Sequence, residues 1–120
     1  MTSPLASITR LHPGARMSQA VIHGNTVYLA GQVGEPGATV AEQTRQALAQ
    51  IDTILREAGT DRANLLQATI LLADMANFKA MNDVWEAWVV PGHTPSRATA
   101  EARLAHPDYL VEIIVIAARA

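Results

Sequence analysis

The sequence predicts one α+β domain, residues 1–120, in which a mixed sheet of about six strands carries two helices on one face. Its 120 residues are 49% hydrophobic and 17% charged, which fits a single buried core. Two segments have apolar residues at helical spacing, whereas the other apolar runs are short and strand-like. The predicted order is strand, strand, strand, helix, strand, helix, strand, strand, and helices layered on one sheet face can bury such a core.

The first predicted helix covers Val40–Ala58. Its apolar residues recur every three or four positions and form one stripe: Ala47, Leu48, Ile51, Ile54, Leu55 and Ala58. Gly59 follows this stripe, and glycine commonly supplies the left-handed residue at which a helix ends.

The second predicted helix covers Met75–Val89, with Asp74 as its N-cap and Pro91 beyond its end. Its apolar stripe consists of Phe78, Met81, Trp85, Trp88 and Val89. Asn82 falls inside this stripe. We expect its amide to make a core hydrogen bond to a loop rather than to contact a ligand directly, because buried amides need partners.

Bounds can be given for five of the six predicted strands: Gln19–His23, Thr26–Ala30, Leu65–Ala73, Arg97–Leu104 and Tyr109–Ala118. The first two are predicted to form a hairpin through Gly24-Asn25. The last strand is apolar on both sides of the pleat, so the second face of the sheet must also be covered. Another copy of the chain is the simplest cover, and we expect a homo-oligomer packed sheet to sheet.

Composition and spacing exclude several classes of function. Cysteine is absent, which removes disulfides, thiolate metal sites and cysteine nucleophiles. The four histidines lie far apart and the glycines lack a phosphate-loop spacing, so we expect no metal and no nucleotide site. A net charge of −2 disfavours nucleic-acid binding. No apolar run is long enough for a membrane span and residues 1–7 lack a secretory signal, so we expect a cytoplasmic protein.

Arg97 is the first candidate for a functional residue. It begins a strand directly after the loop Gly92–Ser96, and alternation places Arg97, Thr99, Glu101 and Arg103 on one face. One interpretation is a solvated edge face with cross-paired charges. The other is that Arg97 binds a small-molecule carboxylate through two parallel hydrogen bonds.

Glu112 is the second candidate because it is the only charge in an otherwise apolar strand. Either it forms a structural ion pair with an arginine, or it orients or deprotonates a water molecule. If the last two strands form a hairpin with Leu104 opposite Leu110, Arg97 and Glu112 fall on opposite faces of the sheet. A bulge or a shifted register would bring them to one side.

Six segments together resemble the RidA/YjgF family of reactive intermediate/imine deaminases in order and spacing. They are Ala15–Val21, Val27–Val33, Gln43–Leu48, Asn82–Ala87, Pro95–Arg97 and Val111–Ile113. The most specific part is Pro-x-Arg followed fifteen residues later by the strand glutamate. The resemblance implies a chorismate-mutase-like fold and a homotrimer in which the sheets line a central barrel, with three ligand clefts between neighbouring subunits.

The resemblance also implies roles for individual residues. Arg97 matches the arginine that clamps the substrate carboxylate, and Glu112 matches the glutamate linked to the hydrolytic water. Gly31 matches a glycine whose backbone touches the ligand, and Asn82 matches the helix asparagine of the family. The substrate-binding positions at which this chain departs from the best-studied subgroup are Met17 for tyrosine, Ala30 for serine and Thr99 for cysteine.

The implied activity is the hydrolysis of reactive 2-imino acids, or their enamine tautomers, to 2-keto acids and ammonia, without a metal or organic cofactor. The alternative is a non-catalytic trimer that senses a small carboxylate or acts as a chaperone-like module. A ribonuclease or translation inhibitor is disfavoured by the net charge and by the absence of a histidine pair for acid–base cleavage.

Overall fold

The computed structural model describes Leu5 and residues 7–120, so most of the N-terminal segment assessed for a secretory signal lies outside the described residues. These described residues form a seven-stranded sheet and two α-helices. The strands are β1 (Ile8–Leu11), β2 (Ala20–His23), β3 (Thr26–Leu29), β4 (Gln32–Val33), β5 (Leu65–Leu72), β6 (Ser96–Glu101) and β7 (Val111–Ala118). The helices are α1 (Val40–Glu57) and α2 (Phe78–Trp88). The predicted α+β architecture is confirmed, with four strands rather than three before α1.

The order of strands across the sheet is β1-β2-β3-β7-β5-β6, and the short β4 also pairs with β7. The predicted β2–β3 hairpin is confirmed, with Ala20 opposite Leu29 and His23 opposite Thr26. The hairpin considered for the last two strands is wrong, because β5 lies between β6 and β7 and pairs with both. β6 runs parallel to β5 because α2 provides the long crossover that a parallel connection needs.

The first helix begins and ends close to its predicted bounds. The side chain of Thr39 accepts a hydrogen bond from the Glu42 backbone N–H and so caps the start of α1. Ala58 is the C-cap, and Gly59 follows at φ +84°, a conformation that favours glycine. The predicted span Val40–Ala58 is therefore confirmed to within one residue.

The second helix starts later than its sequence pattern predicts. Asp74 caps a single 3₁₀ turn, Met75–Asn77, by accepting a hydrogen bond from the Ala76 backbone N–H, and α2 follows from Phe78. The predicted strand Arg97–Leu104 also ends early, at Glu101. In both cases the sequence pattern continues past the hydrogen-bonded element, as is common at element ends.

The two faces of the sheet differ in how far they are covered. Side chains of β5 and β7 that face the helices are buried: Leu65, Ala68, Ile70, Leu72, Val111, Ile113, Val115 and Ala117. The alternating residues of β7 on the second face, from Glu112 to Ala118, are only half-buried. Tyr28 of β3, which pairs with Ile116, is 45% exposed. The second face of the single chain is therefore largely apolar and incompletely covered.

Candidate functional site

The Arg97 guanidinium is held between the edge strand β6 and helix α2. Arg97 pairs with the buried Ala68 of β5, which places its side chain on the face that carries the helices. Its Nη1 donates a hydrogen bond to Oδ1 of Asn82 at 2.7 Å. Its central carbon lies 5.8 Å from the ring centroid of Phe78 and 5.6 Å from that of Trp85. In the described part of the chain Nε and Nη2 have no hydrogen-bond acceptor, so two adjacent donors remain available.

These contacts decide between the alternative interpretations given above for Arg97 and for Asn82. Arg97 takes part in none of the ion pairs formed by described residues, so the cross-paired edge face is wrong for this residue. The Asn82 amide bonds a strand arginine rather than the loop that the sequence predicts. Asn82 therefore holds the Arg97 guanidinium in position, and this position determines where Arg97 can bind a ligand.

The Glu112 side chain lies directly over Gly31. A Cβ atom at residue 31 would be 2.1 Å from Oε2 of Glu112 and 2.8 Å from its Cδ, so only glycine leaves room for this carboxylate. No described residue forms an ion pair with Glu112, so the alternative of a structural pair with an arginine is wrong within residues 5 and 7–120. Glu112 is a half-buried carboxylate without a cationic partner in its own described chain.

An irregularity in the sheet surrounds Gly31. Tyr28 pairs with Ile116 and Gln32 pairs with Ile113, so the three residues 29–31 oppose only two residues of β7. Such an extra residue interrupts the ladder and bends the strand, and these interruptions are common beside functional sites. Ala30, a predicted substrate-binding residue, lies in this segment, and its backbone N–H donates to the carbonyl of Gln19.

Arg97 and Glu112 do not meet within one chain. Arg97 aligns with Ala68 and Val115 on the helix-covered face, whereas Glu112 aligns with Leu71 on the second face. The two residues are therefore on opposite faces of the sheet. This placement was considered for a hairpin between the last two strands, but β6 and β7 do not pair. The opposite placement results instead from the register of β6 on β5 and of β5 on β7.

The remaining predicted site residues also differ in their surroundings. Met17 lies in the loop after β1 and is 50% exposed. Thr99 shares the face of Arg97 two residues along β6. Its Oγ1 is buried and lacks a hydrogen-bond partner among the described residues, which is unusual because buried hydroxyl groups normally have one.

Gln43 is a residue whose importance the sequence reasoning missed. It is fully buried in α1, where its Nε2 donates to the carbonyls of Ala38 and Asp108 and its Oε1 accepts from the Leu110 backbone N–H. These bonds fix the start of β7, two residues before Glu112. Its place one turn before Ala47, on the apolar face of the predicted helix, is the signal that could have identified it.

Three surface cavities lie away from Arg97 and Glu112. One of about 400 Å³ lies between α1 and α2, one of about 470 Å³ lies beside the loop after β6, and one of about 300 Å³ lies between the β1–β2 loop and α1. Neither candidate residue lines any of the three. Among the residues described, no cluster of His, Cys, Asp and Glu is arranged to hold a metal ion, and no helix has the length and apolarity of a membrane span.

Comparison with known proteins identifies relatives over almost the whole chain. The family model described as endoribonuclease L-PSP matches residues 7–119. The RutC family protein YoaB of Escherichia coli is 47% identical over 112 residues, which cover 93% of this chain and 98% of that protein. A 2-iminobutanoate/2-iminopropanoate deaminase of Bos taurus is 38% identical over 107 residues, or 83% of this chain and 77% of its own length.

A solved structure has the same fold. The crystal structure of a YjgF family member from Neisseria meningitidis superposes with a TM-score of 0.94 at 45% identity and covers 98% of each chain. The mixed sheet with two helices is therefore the fold of that family, and the matched segments include both Arg97 and Glu112. The chain belongs to the RidA/YjgF family.

Proposed function

We propose that this protein is a hydrolytic deaminase that converts reactive 2-imino acids, or their enamine tautomers, to 2-keto acids and ammonia. The observation that carries the proposal is the Arg97 guanidinium, fixed by Asn82 with Nε and Nη2 unoccupied among the described residues. Two adjacent N–H donors match the two oxygens of a carboxylate. The mammalian relatives named 2-iminobutanoate/2-iminopropanoate deaminase support this substrate class.

The active site is proposed to form between two subunits of a homotrimer. Because Arg97 and Glu112 lie on opposite faces of one sheet, a single subunit cannot direct both side chains at one small substrate. Arg97 lies on the edge strand β6, so a neighbour that packs on the second face and extends past this edge would bring its own Glu112 towards Arg97. Gly31, Ala30 and Met17 would then line the cleft from the side of Glu112, and Asn82 and Thr99 from the side of Arg97.

The proposed chemistry needs no metal and no organic cofactor. Arg97 binds the substrate carboxylate and so fixes the position of the imine carbon. Glu112 accepts a proton from water as the water oxygen bonds to that carbon, and the proton passes to the nitrogen. The carbinolamine then collapses: its hydroxyl proton passes through Glu112 to the nitrogen, the C–N bond breaks, the C=O bond forms, and ammonia leaves. Orientation is the main contribution, because free imines already hydrolyse in water. The cellular role would be disposal of reactive imines in the cytoplasm.

A non-catalytic module that binds small carboxylates is the second candidate. It is favoured by Met17 and Ala30, which bring no hydroxyl group to the proposed cleft to assist proton transfer. Such a module would be stabilised against heat by 2-keto acids without accelerating imine hydrolysis. The ribonuclease activity in the family model's description finds little support in a chain of net charge −2.

Mixing two inactive variants tests the shared site. Arg97→Ala and Glu112→Gln subunits are each expected to be trimeric and inactive in an assay that follows decay of an imine made by an amino-acid oxidase. When the two are co-refolded in equal amounts, every mixed trimer has one cleft with both native residues. Random assembly then restores about a quarter of the wild-type clefts, because six of eight arrangements carry one intact cleft in three.

The controls for this experiment are the two variants refolded separately and mixed afterwards without refolding. Full activity of Arg97→Ala alone would refute the role of the guanidinium in turnover. Trimeric mixtures that remain inactive would refute the cleft between subunits. Wild-type protein that binds 2-keto acids but leaves imine decay unchanged would favour the binding module.

A further inference from the structure

We propose that Phe78 and Trp85 are positioning residues for Arg97, whose rings keep the guanidinium in one orientation for the carboxylate of the substrate. The proposal rests on the proposed function, since it gives Arg97 the same ligand. It adds two residues that do not touch the reacting atoms and to which neither the sequence nor the comparisons give a role at the site.

The three contacts to Arg97 come from one face of one helix. Phe78, Asn82 and Trp85 are spaced i, i+4 and i+7, so they lie on successive turns of α2. The central guanidinium carbon is within 6 Å of both ring centroids, at 5.8 and 5.6 Å, the range in which a cation is attracted to an aromatic face. The amide between the two rings binds Nη1.

The two rings restrict rotation of the guanidinium, which the hydrogen bond to Asn82 alone does not. A single hydrogen bond leaves a guanidinium free to rotate about it, and an arginine side chain loses rotamer entropy when it is fixed. Contacts with two rings on neighbouring turns remove much of that freedom before a ligand binds. Because a ring face offers no lone pair in the guanidinium plane, the N–H donors are not consumed.

The two rings have different surroundings. Trp85 is 5% exposed and packs in the core, with its ring centroid 5.5 Å from that of Trp88, so it forms a fixed base for the guanidinium. Phe78 is 38% exposed at the first residue of α2 and covers Arg97 at the edge of the sheet. Phe78 is therefore the member of the pair that can be changed without opening the core.

A positioning role predicts a particular kinetic pattern. Once the substrate carboxylate is bound, its paired hydrogen bonds hold the Arg97 guanidinium equally in the ground state and the transition state. Weaker fixation of Arg97 in the free enzyme therefore raises KM and leaves kcat nearly unchanged. A general defect in folding would instead lower the active fraction and the melting temperature. The effect should also be confined to ligands with a negative charge.

The test compares Phe78→Leu with Phe78→Tyr in the full trimer. Calorimetry with 2-ketobutanoate is expected to give about 5- to 10-fold weaker binding for Phe78→Leu, which loses the aromatic face, and recovery to within about twofold for Phe78→Tyr. The neutral amide of 2-ketobutanoate should bind all three proteins equally. For imine hydrolysis, KM should rise by the same factor while kcat stays within about twofold.

Fluorescence gives an independent readout, because the chain has only two tryptophans. In a Trp88→Phe background, Trp85 is the remaining tryptophan. Its emission should change when the carboxylate of 2-ketobutanoate pairs with the nearby guanidinium. Phe78→Leu protein that binds the keto acid as tightly as the wild type would overturn the proposal. Wild-type protein that binds the keto acid but does not turn over imines would refute the proposed function alone, and the binding series would still decide the role of Phe78.

Discussion

The carboxylate of Glu112 occupies the space that any side chain at residue 31 would fill, with Oε2 only 2.1 Å from the position of a Cβ there. Gly31 has no special backbone conformation to explain its presence, since the described glycines with positive φ are Gly24, Gly37, Gly59 and Gly92. Its function is therefore steric. It lets a charged strand side chain lie flat against the interrupted part of the ladder, where the proposed cleft opens.

Gly31→Ala should damage activity far more than stability. The atoms that would collide with the new methyl group are the outer atoms of Glu112, a flexible and half-buried side chain that can swing away. We expect unfolding to become easier by only about 1 kcal/mol, the low end for overpacking. The displaced carboxylate should lower kcat by roughly 100-fold, as an error of about 1 Å in position can. Enzyme kinetics and denaturant titration at one protein concentration measure the two effects.

Gly34→Ala is the matched control. A Cβ at residue 34 would lie 2.6 Å from the Cα and 2.8 Å from the carbonyl oxygen of Gln43, and these backbone atoms cannot swing aside. This variant should lose about 1–3 kcal/mol of unfolding free energy while the folded fraction keeps a normal kcat. If both variants lost kcat equally with no difference in stability, the steric role assigned to Gly31 would be wrong.

Asn82→Ala and Asn82→Asp should both weaken substrate binding, for different physical reasons. Alanine removes the acceptor 2.7 Å from Nη1 of Arg97, and a bond to a charged group contributes about 1.5–3 kcal/mol, so KM should rise at least roughly 10-fold. Aspartate keeps the bond but neutralises the guanidinium that the substrate carboxylate needs. Affinity for a 2-keto acid, measured by calorimetry, checks both. Wild-type affinity in Asn82→Asp would show that Arg97 does not bind the carboxylate.

The local patterns of the sequence predicted elements but not the pairing of β6. Helical stripes and β-rich runs located α1, the β2–β3 hairpin and β7, because each depends on neighbouring residues. The pairing of Arg97 with Ala68 links residues on either side of α2. A strand–helix–strand order would have suggested this parallel crossover, whereas closeness in sequence suggested a hairpin between the last two strands.

Contacts made across the sheet could not be predicted from local sequence patterns for the same reason. The alternation within each strand correctly grouped Arg97 with Thr99, but the relative face of Glu112 depends on the intervening β5. Likewise, the need for glycine at position 31 comes from Glu112, which lies across the ladder and 81 positions along the chain. The resemblance to a known family supplied these residues without their geometry.

Gln43→Leu should destabilise the fold strongly. It leaves the carbonyls of Ala38 and Asp108 and the Leu110 N–H, which are partly buried, without their partner, and this costs about 2–4 kcal/mol in unfolding free energy. Thr44→Val is the matched control, since Thr44 is equally buried but makes one bond, to the Val40 carbonyl, and should lose only about 1 kcal/mol. Denaturant titration measures both, and hydrogen exchange at Leu110 should quicken in Gln43→Leu alone. Equal losses in the two variants would contradict the special role of Gln43.

Ile116→Asp should separate the proposed trimer and abolish activity together. Ile116 lies on the second face of β7 opposite Tyr28, and the helix-side core does not include it, so the charge can be solvated in a folded monomer. In the trimer the same carboxylate would be buried against a neighbour without a partner, which costs several kcal/mol. Light scattering should show a mass near three times 12.8 kDa for the wild type and near 12.8 kDa for the variant.

Glu86→Lys on the exposed side of α2 is the control and should remain trimeric and active. Two results would contradict the shared site: a wild-type monomer that hydrolyses imines, or a monomeric Ile116→Asp protein with full kcat. Either would show that one subunit contains a complete active site, although Arg97 and Glu112 lie on opposite faces of its sheet.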